Sequence, residues 1–357
     1  MRDELAEKCL ERTGFTPRDW QLDASTALLD GKDCVVIAGT GEGKTLPFVL
    51  PCFVRPDITT YIISPLNALQ NDQAHRFRKW GLKATSVNAR VMQNDKNLLK
   101  KIKEGHFDIV ITSPENALAS SHLRPILTDQ KLSKKFTIVI DEAHCISQWG
   151  GEFRQAWGKL GNLRSYLPVG VPFLVTSATL PPSILEEVKT SLHVRDDHIL
   201  IHRGNFRKNL VWETHILRTA VHGYEELADY LLSKPTNPSE PRLPIQTALV
   251  YVNKISDCHL ICNYLRSLLP DDEEIRYQIQ PFHAVRAEEG KCRVLRHFRS
   301  GRIVILICTE AAGMGCDFPR ILIVIQFLLP NSLISWIQRA GRGGRSTEEL
   351  CRCILMI

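Results

Sequence analysis

No C-x-x-C pair occurs anywhere in this 357-residue chain, although it carries 11 cysteines. Paired zinc ligands at finger or ribbon spacing are therefore excluded, and no zinc is expected. The nearest approximations, CHLIC (258–262) and CRC (351–353), read as reduced thiols of a cytosolic or nuclear compartment. Also missing is any run of about eighteen uncharged apolar residues, so no membrane partner is expected. The opening MRDELAEKCLERTGF is charged and helix-like, which is not the pattern of a signal or transit sequence. A soluble intracellular protein is the expectation. Repeats and low-complexity tracts are absent. Strong basicity is absent too: 45 Lys and Arg stand against 39 Asp and Glu, a net charge of +6 that permits a nucleic-acid partner without demanding one.

What the chain does have is strand-sized apolar runs. DCVVIAG, TYIISP, FDIVITSP, FTIVIDE, PFLVTSA, TALVYV, IVILICT and ILIVIQF alternate with helical patterns such as ILEEVKTSL and KCRVLRHFRSG. Near-continuous apolar strands between helices predict an α/β protein built on mostly parallel sheets covered by helices. Right-handed crossovers then collect the strand C-termini along one edge, where ligands bind. The length predicts two domains, with the runs grouped as residues 1–202 and 211–357 about a polar, basic linker at 203–210. The proline-rich SKPTNPSEPRLP (233–244) reads as a surface loop inside the second group.

Three stretches carry chemistry. CVVIAGTGEGKTL sets a glycine-rich turn between a buried strand and a helix start. Gly39, Gly41 and Gly43 let backbone N–H groups curl around phosphate, Lys44 offers a point charge, and Thr45 offers a hydroxyl to magnesium. Ala38 stands where the strict pattern wants glycine, so only the relaxed form is met. FTIVI ends in Asp141 and Glu142 on the same expected edge, suited to hold magnesium and to deprotonate an attacking water. QRAGRGGR supplies Gln338, Arg339, Arg342 and Arg345; Arg342 and Arg345 are candidates to reach a γ-phosphate from the other domain. A further oddity is VIDEAHCISQWGGEFRQAW, which sets Trp149, Phe153 and Trp157 where a solvated loop is expected.

In order along the chain, AGTGEGKT, DEAH, SAT (177–179), TEAAGMGCDFP (309–319) and QRAGRGGR resemble the motifs of superfamily 2 helicases. ISPLNALQNDQ (63–73) and above all DEAHCISQWGGEF are similar to RecQ-type DNA helicases. The resemblance spans about residues 14–345. It implies two tandem RecA-like domains of the P-loop NTPase class, with MgATP between them held by Gly39, Thr40, Gly41, Glu42, Gly43, Lys44 and Thr45. Glu42 departs from the more usual glycine. Arg18 and Gln21 of FTPRDWQLDA match a motif whose Gln reads the adenine edge, with Phe15 placed to stack on the base. Asp317 matches a position tied to ribose binding or interdomain coupling, and Ser177 and Thr179 one that links hydrolysis to domain movement.

The same resemblance makes the stretch after DEAH an aromatic-rich loop that senses single-stranded DNA, with Trp149, Phe153 and Arg154 as coupling residues. Trp157 is either one more of these or a core ring. His283 is either a core histidine or a DNA contact, and the Lys291, Arg293, Arg296 and Arg299 face is either solvated or a phosphate track. The chain ends at Ile357, so a helicase core without the family's zinc-binding and winged-helix modules is expected. The activity implied is an ATP- and Mg²⁺-dependent, nuclear, 3′ to 5′ DNA helicase acting on single-stranded and duplex DNA. The alternatives are a DNA- or RNA-stimulated translocase that unwinds little, and a catalytically weak module that binds DNA or a protein.

Overall fold

Valine, isoleucine and leucine runs, buried on both faces, form two parallel sheets. The computed structural model describes the chain except for residues 120, 130–135, 150–153, 219–222, 235–236, 238–241, 313–317, 319 and 346–348 and the side chains of Asn67, Ala68, Trp149 and Glu288. Two compact units result, Met1–Asn205 and Phe206–Ile357.

The first unit contains β1 (Cys34–Ala38), β2 (Thr59–Ile63), β3 (Ala84–Val87), β4 (Ile109–Thr112), β5 (Phe136–Ile140), β6 (Phe173–Ser177) and β7 (Ile199–Gly204). Their order across the sheet is β3-β4-β2-β5-β6-β1-β7, and every pairing is parallel. β7 runs through Gly204, so Arg203 and Gly204 are strand residues of this sheet rather than part of a connecting segment.

The second unit contains β8 (Leu210–His215), β9 (Ala248–Tyr251), β10 (Ile279–Phe282), β11 (Ile305–Cys308), β12 (Ile323–Phe327) and β13 (Cys351–Met356). Their order is β10-β11-β9-β12-β13-β8, again all parallel. The period of two is visible in its packing. Ala248 and Val250 enter one apolar cluster with Ile305, Ile307, Ile323 and Ile325. Leu249, Tyr251, Leu306 and Val324 enter another on the opposite face. Helices thus cover both faces, as parallel sheets require.

A buried charge fixes the start of the first sheet. Asp33, fully buried just before β1, accepts from the Phe173 N–H at 2.8 Å and the Arg195 N–H at 3.0 Å and pairs with the Arg164 and Arg195 guanidinium groups. Burial alone would raise its carboxyl, but these partners together hold it below the usual carboxylate range. One side chain therefore ties the beginnings of β1 and β6 to the segment entering β7.

Candidate active site

β1 ends at the buried Ala38, and the glycine-rich turn delivers the chain into the helix Leu46–Val54. Gly41 (φ 88°) and Gly43 (φ 82°) lie in the left-handed region, which only glycine adopts without strain. Gly43 is also pressed close to a neighbour: a β-carbon there would sit 2.6 Å from Gln21 Nε2. Lys44 Nζ donates to the carbonyls of Ala38 (2.6 Å) and Gly39 (3.0 Å), curling over its own loop. Thr45 is the N-cap of the helix, yet its hydroxyl makes no capping bond.

The residues ahead of β1 grip this turn. Gln21, only 2% exposed, accepts from the Arg18 N–H at 2.8 Å and donates to the carbonyls of Gly43 (2.9 Å) and Glu42 (3.4 Å). The Arg18 guanidinium pairs with the Glu42 carboxylate. Both ends of the Gln21 amide are engaged by backbone, so here the side chain shapes the loop, while the Phe15 ring stands exposed nearby in sequence. Glu42, the departure from glycine, finds its charge partner in Arg18.

Because β5, β6 and β1 are consecutive and parallel, their exits adjoin at one edge. Asp141 leaves β5 buried. Its Oδ2 accepts from Gln73 Nε2 (3.0 Å), and its Oδ1 from the Glu142 N–H (3.0 Å) and the Thr176 hydroxyl (3.3 Å). Burial pushes its carboxyl up to about 6, and the Glu142 charge adds to the rise; Gln73, the Lys44 ammonium and Thr176 oppose it. A buried, destabilised carboxylate beside a second one has the donor chemistry that a divalent cation satisfies.

Glu142 has a left-handed backbone (φ 55°), a strained state for a non-glycine residue at a strand exit. Its carboxylate lies 3.4 Å from Nδ1 of the fully buried His144, which is 3.0 Å from Ser177 Oγ. Ser177 Oγ in turn donates to the Thr179 carbonyl at 3.2 Å and accepts from the Thr179 N–H at 3.3 Å. The chain Glu142–His144–Ser177–Thr179 joins the exits of β5 and β6. Sequence reasoning singled out neither Gln73 nor His144, although both lie inside the motif strings ISPLNALQNDQ and DEAH.

Of the expected loop residues, Phe153 and the Trp149 side chain lie outside the described residues. Arg154 grips Glu115 through two bonds, Nε to Oε1 at 2.9 Å and Nη2 to Oε2 at 2.7 Å, and donates from Nη1 to the Pro65 carbonyl at 2.7 Å. Trp157 is fully buried, so of its two readings the core ring holds.

In the second unit Asp317 lies outside the described residues. The helix Leu333–Ala340, capped by the Ser332 hydroxyl, carries Gln338 and Arg339, and the turn beyond it carries Arg342 and Arg345. Gln338 and Arg342 are buried and Arg345 is half-buried. Arg339 is structural: it bonds Glu310 and, at 2.6 Å, Gln326, with its guanidinium over the Tyr251 ring. The small residues of the turn have a local cause, since a β-carbon on Gly343 would lie 2.2 Å from Cys351 Sγ. Arg207 and Asn209 fasten the carbonyls of Gly341 and Gly344, holding the arginine-bearing turn against the sheet. His283 is buried, its Nε2 3.1 Å from that of His259; Arg293, Arg296 and Arg299 are exposed.

The sequence and the fold are similar to those of known proteins. Residues 18–188 match the DEAD/DEAH box helicase family and residues 238–347 the helicase conserved C-terminal domain. The chain is 29% identical over 332 residues to the ATP-dependent DNA helicase RecQ of Pasteurella multocida, covering 92% of this chain and 48% of that protein. It is 28% identical over 340 residues to the ATP-dependent helicase SGS1 of Saccharomyces cerevisiae, covering 93% and 22%. The chain thus spans half or less of the length of these relatives. Among solved structures it superposes on the Mycobacterium smegmatis helicase Lhr bound to ssDNA and AMP-PNP with a TM-score of 0.72 at 20% identity, over 99% of this chain and 47% of that one. That likeness is one of fold, the tandem RecA-like core.

Proposed function

From the DEAD/DEAH box helicase match over residues 18–188 and the helicase C-terminal match over residues 238–347, we propose that the chain is the ATP-driven motor of a RecQ-like DNA helicase, moving 3′ to 5′ along single-stranded DNA and separating duplex. The observation that carries this reading is the gathering at one sheet edge of the β1 exit, which bears the glycine-rich turn and Lys44, and the β5 exit, which bears Glu142 and the buried Asp141.

In this reading the turn Gly39–Gly43, with Thr40 and Glu42, cradles the phosphates and Lys44 neutralises their charge. Thr45 and Asp141 hold the magnesium ion, which supplies Lewis-acid stabilisation of the transferring phosphoryl group when bound. Glu142 orients the attacking water and accepts its proton, held by His144, which passes the state of the site to Ser177 and Thr179. Arg18 and Gln21 keep the loop in shape, Phe15 stacks on the base, and Asp317 meets the ribose or couples the units. Gln338, Arg342 and Arg345 contribute from the second unit, the arginines offsetting charge that develops on the γ-phosphate. Trp149, Phe153 and Arg154 report the presence of a strand.

The test is the ATP hydrolysis rate without nucleic acid, with single-stranded DNA and with single-stranded RNA at one fixed salt concentration. Stimulation by DNA and not by RNA is expected. Absence of hydrolysis under all three conditions would overturn the motor reading, and equal stimulation by RNA would overturn the DNA assignment.

A further inference from the structure

Arg154 is the first described residue after the helix Cys145–Trp149, and its side chain reaches back across the sheet edge. The order β4-β2-β5 places three exits side by side. From the β5 connection, Arg154 spans the β2 exit, where Pro65 accepts a bond, to the β4 exit, where Glu115 accepts two. Glu115 belongs to the short helix Pro114–Leu118, capped by Ser113 directly after β4. A planar guanidinium gripped by two coplanar oxygens is the geometry that a phosphate diester also offers, with its two unesterified oxygens. The pair is only partly withdrawn from water: the Arg154 side chain is 21% exposed and that of Glu115 47%. A ligand anion can therefore approach it, and an ion pair so placed is weak enough to exchange.

We infer that Glu115 is a built-in competitor for nucleic-acid phosphate, holding Arg154 in a latched position that a bound strand opens by taking over the guanidinium. Glu115 is thus a positioning residue that acts through Arg154. The inference rests on the reading of the chain as a single-stranded DNA motor and adds a cost to binding, namely that Arg154 must first leave Glu115. Removing the negative charge removes that cost. Glu115→Gln keeps the shape and one acceptor oxygen but weakens the grip, so the strand is bound more tightly.

The experiment is fluorescence anisotropy of a labelled dT20 oligonucleotide with the full chain, wild type and Glu115→Gln, at one fixed salt concentration. Arg154→Ala and the double variant complete a double-mutant cycle. Glu115→Gln is expected to tighten binding by about threefold to tenfold, and to have no effect when Arg154 is already Ala. Unchanged or weaker binding by Glu115→Gln, with wild-type binding intact, overturns the competitor role and leaves the motor reading standing. Equal tightening in the Arg154→Ala background overturns it as well, because the effect would then be general electrostatics. No binding by any of the four proteins overturns both readings.

Discussion

Asp141 shows how one residue can serve chemistry at the expense of the fold. Its folded carboxyl titrates at about 6, above the usual carboxylate value near 3.9. Between those values the native chain holds a proton that the unfolded chain has released, so stability falls as pH rises through this window, and the loss is complete above it. Asp141→Asn removes the buried charge. Gln73 has a buried Oε1 with no bonding partner, so a flip of its amide lets it accept from the new Asn nitrogen. Without divalent cation at pH 7.5, thermal denaturation of Asp141→Asn is expected to show a gain on the order of 1–3 kcal/mol, while hydrolysis is lost. A fall in melting temperature would mean that Asp141 is structural. Glu142→Gln is expected to keep ATP binding and to lower turnover by about a hundredfold or more; normal turnover would remove Glu142 as the base. Both carboxylates were legible in the sequence because they end an apolar run. Two of the contacts around them were not: Gln73 lies 68 residues from Asp141 and Ser177 lies 33 from His144, and only the strand order brings each pair together.

At the level of elements, the apolar runs of the sequence identify most of the inner strands, and the strands they leave out are β3, β7, β8, β10 and β13. The first four are the edges of the two sheets; β13, CRCILM, is an inner strand whose apolar run is broken by Arg352. An edge strand has a neighbour on one side only, and it carries polar residues: ATSV in β3, ILIHRG in β7, LVWETH in β8, and a proline in β10. A search for continuous apolar character passes over such segments for that physical reason. Asp33 escaped notice likewise, as an unremarkable acidic residue before a strand. Asp33→Ala leaves Arg164 and Arg195 facing a buried gap and is expected to cost about 3–5 kcal/mol in chemical denaturation. Acid should weaken the wild type in the same direction, since the Asp33 contribution is present above the ordinary carboxylate value and disappears as pH falls through its lowered one. A change below about 0.5 kcal/mol in Asp33→Ala would refute the pinning role.

Across the whole molecule, each unit has its own apolar clusters. Hydrogen exchange should therefore report the Asp33→Ala lesion locally: faster exchange in β1, β6 and β7, unchanged protection in β9, β11 and β12. Acceleration spread evenly over both sheets would refute a local effect. The two-unit α/β plan was visible in the alternation of runs and helices; the division after Asn205 falls within the polar segment 203–210, of which β7 takes up the first two residues. The second sheet also sets a schedule. β8 lies at the edge beside β13, and among the described residues β13 alone joins it to β12. On the ribosome β8 emerges before the other described strands of its unit and β13 after them, so β8 and the flank of β12 wait unpaired while β9 to β12 are made. The unit's most vulnerable interval is therefore the time of translation, when a chaperone or a slow pause has more to protect than at any later stage.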